Sequence, residues 1–334
     1  EIPGKSVDDD GNGITDDVFG ANFWYVSNPR GDPLDDDGHG THVAGIVGAV
    51  GNNGLGVTGV TQNVRLLALK WLGPGGYQGT CASAIYAVVY AILKGADVIN
   101  ASWFMGNCAT LKDAIGLAGS QGILFVAAAG NFGQDNDVVP FEPATFPLLN
   151  ILAVAATDHY DGLAAWSVGS SNYSSHVGDN SIEVAAPGAA LISTLPGAAF
   201  GLMTGTSMAA PQVSGVAALI LSRHPNITVA ELKTSIVLGA DHPIGLQGKV
   251  LQGARLNAFG ALTASDVWAG TGNLWVCDDG IDNDGDGLTD FPADPGCSAV
   301  FPDASEVNGV CGLGFELAPS LAKKGRAAQR KLGG

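Results

Sequence analysis

Basic residues are scarce in this chain: 15 Lys and Arg stand against 32 Asp and Glu, a formal net charge of −17 over 334 residues. That balance excludes the phosphate-neutralising surface on which nucleic-acid binding and attachment to anionic membranes depend. Long hydrophobic runs are missing too. No stretch reaches the roughly eighteen consecutive apolar residues of a membrane-spanning helix. Charged residues make up only 14% of the chain and apolar ones 46%, which excludes a disordered protein and fits a tightly packed domain. The length leaves room for one large α/β domain and a small appendage, and a monomer is expected. Cysteine is sparse. Cys277 and Cys297 bracket an acidic loop and are expected to be bonded, which implies an oxidising compartment. Cys81 and Cys108 are either a second bond or two buried thiols, and Cys311 is left over.

Between residues 64 and 264, short apolar runs alternate with helical periods. Val64–Leu69, Asp97–Trp103, Ile123–Ala129, Ile151–Thr157 and Ile182–Ala186 read as strands. Ala82–Lys94, Leu111–Gly119, Met208–Ser222 and Val229–Leu238 read as helices, the last with Thr228 as N-cap and Glu231 completing a capping box. Apolar strands alternating with helices predict a mostly parallel sheet covered on both faces. In such folds, catalytic groups sit on loops beyond the strand ends. After about residue 265 the periodicity stops. Residues 265–276 read as a linker, 277–306 as an acidic disulfide-bracketed module and 307–334 as a disordered, Lys/Arg-rich tail.

Two segments carry nucleophile chemistry. Gly205-Thr206-Ser207-Met208-Ala209-Ala210-Pro211 places a serine at a glycine-flanked turn that opens an apolar helix. Asp37-Gly38-His39-Gly40-Thr41-His42-Val43-Ala44-Gly45 places an imidazole at a similar junction. A serine needs a base to attack at neutral pH, imidazole is the usual one, and helix-end N–H groups favour the negative charge that develops. Zinc is a poor alternative. His39 and His42 are three apart with no glutamate between them, unlike the metalloprotease helix.

With Phe125-Val126-Ala127-Ala128-Ala129-Gly130-Asn131 between them, these segments resemble the subtilisin-like serine proteases, over residues 1 to about 264. The resemblance implies an α/β, three-layer subtilisin-like fold. It makes His39 the general base, Ser207 the nucleophile and Asn131 the oxyanion donor, with polypeptide substrates lying along Ser102-Trp103-Phe104 and Ala129-Gly130. Phe104 and Met105 are bulkier than the small residues relatives commonly carry there, so the family's pocket size does not carry over. The family orders its triad Asp, His, Ser. Its aspartate ends an apolar strand and precedes Ser-Gly or Thr-Gly, and neither tripeptide occurs here. Asp8, Asp10 and Asp37 follow no such strand, so none is expected to substitute. The chain therefore reads as a fragment of a secreted endopeptidase, inactive by itself, beginning after the triad aspartate.

Two acidic runs suggest structural calcium. Asp282, Asp284, Asp286 and Asp290 space oxygens at positions 1, 3, 5 and 9 of a calcium-type loop, with glycine at 6 and Ala293 at the twelfth position. Asp8, Asp10, Asn12 and Asp16 repeat that spacing. The family likeness adds Asn52-Asn53-Gly54-Leu55-Gly56-Val57, with the Asn53 side chain and the Leu55 and Val57 carbonyls as ligands. Two other readings remain open: a pseudoprotease that binds proteins on this scaffold, and a calcium-dependent surface-binding module centred on 277–306.

Overall fold

Two apolar runs decide the centre of the molecule. Leu124–Ala128 and Ile151–Thr157 carry almost no polar side chain, as strands covered on both faces require. The computed structural model describes residues 8–268 apart from 28, 77–78 and 176–181. In it these runs form β4 (Leu124–Ala128) and β5 (Ile151–Thr157), paired in parallel with Phe125 opposite Ile151. β3 (Val98–Ala101) pairs with β4, and β8 (Val184–Pro187) with β5, giving a parallel order β3-β4-β5-β8. Side chains alternate between two apolar layers, as a pleated strand demands. Phe125, Ala127, Ile151 and Ala153 enter one cluster, while Leu124, Val126, Leu152 and Val154 enter the other.

Helices α2 (Cys81–Leu93) and α3 (Ala109–Ser120) cover the first face. On the second face lie α4 (Thr206–Arg223), α5 (Val229–Leu238) and α6 (Ala258–Trp268). The fold is thus the three-layer α/β arrangement expected. The starts of α2 and α5 are set by their caps. Thr80 accepts from the Ser83 N–H, and Thr228 and Glu231 form the reciprocal box read from the sequence. Cys81 and Cys108 are bonded, with Cα atoms 5.6 Å apart, which ties α2 to the start of α3.

Three two-stranded pairs lie outside this sheet among the described residues. β1 (Gly20–Asn22) and β2 (Ala68–Lys70) form a separate parallel pair. β6 (Ala165–Trp166) and β7 (Gly169–Ser170) make a short hairpin. β9 (Leu191–Leu195) and β10 (Ala199–Met203) make a longer one, packed on α1 (His39–Gly48). Buried His42 lies beneath it, its Nε2 3.1 Å from both Leu191 O and Gly201 O. The strand at 64–69 is therefore shorter and later than its apolar run suggested, and β3 ends before Ser102. The expected linker starts too early, because residues 265–268 continue α6 to Trp268 with Ser265 buried; its remainder, the acidic module and the tail lie outside the described residues, and so do Cys277, Cys297, Asp282, Asp284, Asp286 and Asp290.

Candidate active site

Ser207 is the second residue of α4, and a proline sets its surroundings. Pro211, inside the helix, has no N–H for the carbonyl four residues earlier, which is that of Ser207. The Ser102 hydroxyl takes that place, donating to Ser207 O at 2.8 Å, and the Ser207 hydroxyl donates back to Ser102 O at 3.4 Å. The expected nucleophile and the segment expected to hold substrate are therefore bonded to each other. Asn100 extends the link: its Nδ2 donates to Ser102 Oγ at 3.0 Å, and its Oδ1 accepts from Ser214 of α4 at 2.9 Å.

Asn131 follows β4 through Gly130, whose φ of 111° only glycine holds without strain. A β-carbon at Gly130 would also lie 2.9 Å from the Phe141 ring. The Asn131 Oδ1 accepts from the Thr206 N–H at 2.9 Å and the Thr206 hydroxyl at 3.0 Å. An N–H can only donate, so the carboxamide orientation is determined: its NH2 group is left beside Gly205 and the start of α4. Thr206 also accepts from the Gly130 N–H at 3.2 Å. Sequence reasoning did not single out Thr206; its position before the nucleophile was the available signal.

His39 opens α1 behind Gly38, a left-handed N-cap residue with no side chain to offer. Asp35 does the capping instead. Its carboxylate accepts from the N–H groups of Asp37, Gly38 and Thr41 at 2.7–3.0 Å and from the Thr41 hydroxyl at 2.6 Å. Burial alone would raise its pKa, but these four bonds overcome it and hold the carboxyl at about 2. Asp35 was also missed in the sequence; a capping glycine should have prompted a search upstream for an acid. Burial lowers the His39 pKa below its ordinary value, against the opposing charges of Asp37 and Asp35, so the imidazole is neutral at pH 7. Asp37 bonds the His39 backbone N–H at 3.3 Å. Both nearby carboxylates are thus committed to the helix end.

A line of contacts joins the two sides. Lys70, ending β2, pairs with Asp36 at 2.7 Å and donates to Leu34 O at 2.9 Å, just ahead of His39. Trp71, the next residue, meets Trp103 edge-on with ring centroids 4.8 Å apart, and Trp103 adjoins Ser102. Both helix starts therefore lie at the edge where β2 and β3 end, and α1 packs on α4. Among the described residues no hydrogen bond joins the His39 ring to Ser207; the serine hydroxyl is turned onto Ser102 O. In unliganded sites such bonds commonly form only with substrate. Beside Asn131 the wall is aromatic. Half-exposed Phe104 and exposed Phe132 both pack on buried Phe141, with centroids 4.6 and 5.9 Å away. Met105 does not narrow the cleft, because it is turned into the core.

The loop from Asp8 closes on itself. Asp8 accepts from the N–H groups of Gly11, Asn12 and Gly13, and Asn12 donates to Asp10 at 3.1 Å and Asp17 at 2.6 Å. A cation is already present: Lys94 lies 2.5 Å from Asp10 and 3.2 Å from fully buried Asp17. Tyr90 donates to the same Asp17 oxygen. Asp16 takes a left-handed turn, with φ 56°. Asn53 accepts from the Leu55 N–H at 2.9 Å, a local turn. Among the described residues no three His, Cys, Asp or Glu side chains converge as a metal site.

Comparison with known proteins agrees with this geometry. The model of the subtilase family matches residues 9–261. A thermophilic serine proteinase from Bacillus sp. (strain AK1) is 40% identical over 240 residues, covering 72% of this chain and 55% of the relative. Subtilisin-like protease 1 of Plasmodium vivax is 35% identical over 242 residues, covering 68% of this chain and 37% of that protein. The chain thus spans about half the length of these relatives, or less. Among solved structures, the prenylagaramide maturation protease PagA aligns with a TM-score of 0.59 at 27% identity, over 69% of this chain and 82% of that one.

Proposed function

The chain belongs to the subtilase family, and on that premise we propose that it is the greater part of a secreted serine endopeptidase. Ser207 Oγ attacks the peptide carbonyl after rotating off Ser102 O. His39 takes its proton and returns it to the leaving amine. The Asn131 NH2 group and the Ser207 N–H hold the oxyanion, each bond strengthening as charge develops. The observation that supports this reading is the pair of bonds by which Asn131 Oδ1 accepts from the Thr206 N–H and hydroxyl, which holds the Asn131 carboxamide beside the start of the helix bearing the serine. The carboxylate that orients His39 comes from outside the present sequence, because Asp35 and Asp37 are committed elsewhere. By itself the chain is therefore nearly inactive. Extended polypeptides bind between Ser102–Phe104 and Ala129–Gly130, with apolar side chains against Phe104 and Phe132. A longer product carrying an upstream strand should hydrolyse casein, and Ser207→Ala or His39→Ala should each abolish this. Casein cleavage unchanged by Ser207→Ala would refute the proposal.

Structural calcium belongs to the same proposal. Asp8, Asp10, Asn12 and Asp16 would hold one ion once Lys94 withdraws, the 52–57 loop a second through Asn53, and the 282–290 loop a third. The ion's contribution would be to stability rather than to the reaction. A chelator should then lower the Tm by several degrees, and an unchanged Tm would remove calcium from the account.

A further inference from the structure

Asn100 is a polar residue on an apolar face. β3 sends Val98 and Asn100 toward the layer that β4 fills with Leu124 and Val126, and Asn100 lies opposite Val126 in the sheet. A carboxamide in such a place costs free energy unless both of its ends are bonded. Both are, and in one chain. Nδ2 donates to Ser102 Oγ at 3.0 Å, Oδ1 accepts from the Ser214 hydroxyl at 2.9 Å, and the Ser102 hydroxyl donates to Ser207 O at 2.8 Å. A hydroxyl has a single hydrogen. Because that of Ser102 is given to Ser207 O, Ser102 can only accept from Asn100, and the carboxamide fixes which way the hydroxyl points. Ser214 depends on Asn100 less, since Ala210 O lies 3.3 Å from its oxygen as a second acceptor. The stronger demand comes from the Ser207 end, where Pro211 has removed the helical N–H that the carbonyl would otherwise accept from.

We propose that Asn100 and Ser102 are positioning residues for Ser207. The bond that Pro211 takes from the helix is remade across to β3, so the serine is held in register with Ser102–Phe104 and not with its own helix. The effect on rate rests on the protease reading, in which Ser102–Phe104 is the segment that holds the substrate; the register itself does not. Nucleophile and substrate then share one reference. A shift of the helix end by about 1 Å would separate them, a misplacement of the kind that costs about 10²-fold in rate. The two side chains act through the Ser207 main chain and touch no reacting atom.

The test is a double-mutant cycle against Pro211→Ala, which returns an N–H to the helix where Ser207 O can accept it. In the longer, active product, Ser102→Ala and Asn100→Asp should each lower kcat for a peptide ester about 10-fold or more, with KM within about 2-fold. The aspartate keeps an acceptor for Ser214 but takes the Ser102 hydroxyl hydrogen for itself. In the Pro211→Ala background the same substitutions should change kcat by less than about 2-fold. A penalty that persists there would mean that the side chains act on substrate or on the charge of the site, and would overturn the assignment. A rise in KM alone would overturn it too. Hydrogen exchange on the 334-residue chain gives a readout without turnover. Amides 208–210 should exchange at least ~10-fold faster in either variant and return to the Pro211→Ala rate when combined with it, while amides 124–128 stay unchanged. If exchange behaves so and no hydrolysis depends on Ser207, the register holds and the protease reading falls. Exchange at 208–210 that is unchanged in both variants overturns the register itself.

Discussion

Ser207 and Asn131 stand on β4, β5 and α4, where side chain after side chain is fully buried, whereas His39 follows a segment, residues 32–37, held by carboxylates and one lysine. The serine side is assembled by packing. Leu124, Val126, Leu152 and Val154 meet Ala209, Ala210, Val213 and Ala217 with nothing polar between them. The histidine side is assembled by polar bonds at a sheet edge that, among the described residues, has no partner strand. Packing of the first kind withstands pH and salt, while polar bonds at a half-exposed edge do not. On the proposed reading, the half of the site that bears Ser207 and Asn131 is therefore preformed, and the half that bears His39 depends on its surroundings.

Five substitutions, one of them followed by a pH titration, sharpen this contrast. The largest effect is expected on the packed side: Phe125→Ala empties a fully buried site between α2, α3 and Trp103 and should cost about 3–5 kcal/mol in denaturant unfolding. A loss below about 1 kcal/mol would show that the packed half is not the stable one. Next comes Asn131→Ala in the active form, expected to lower kcat by about 10²–10³-fold with KM nearly unchanged, the magnitude known for this donor in subtilisin. A change confined to KM would make Asn131 a binding residue only.

On the polar side the effects should be smaller. Lys94→Met leaves the buried Asp17 carboxylate without its ammonium and should cost about 2–3 kcal/mol. A neutral outcome in calcium, with loss only after chelation, would mean that the metal takes over from the lysine. Asp35→Asn should cost about 1 kcal/mol, a figure already discounted for solvent screening. The sign is set by its depressed pKa. Above about 3.8 the stabilisation is complete, and it disappears as pH falls from 3.8 through about 2, so wild type and variant should converge near pH 2. Curves that stay parallel through that window would assign the helix cap elsewhere. Smallest of all, Asp37→Asn removes a charge that favours the imidazolium. It should move the acid limb of activity downward by a few tenths of a pH unit. An upward move would contradict the charge assignment.

The packed half was the legible half. Apolar runs at 123–129 and 151–157, the capping box at Thr228 and Glu231, and the motifs around Ser207 and Asn131 are local signals, and each appears where its periodicity put it. What escaped reading depends on distant partners. Asp35 caps a helix across a bend, Thr206 acts only because Asn131 comes to it, and Lys94 reaches Asp10 and Asp17 from another helix. Val64–Leu69 carries enough apolar character for a full strand, but only Ala68–Lys70 pairs, because a strand needs neighbours that its own sequence does not record. The hairpin at 191–203 was missed for a related reason: its Ile192–Leu202 pair is exposed, so it lacks the buried alternation that marks strands elsewhere.

The central claim is that Ser207 becomes a nucleophile through His39, and a fluorophosphonate probe followed by mass spectrometry tests it most directly. In the active form, the account predicts one phosphonyl adduct, on Ser207, that disappears in His39→Ala. An adduct on Ser207 that survives His39→Ala, or none at all, would contradict it.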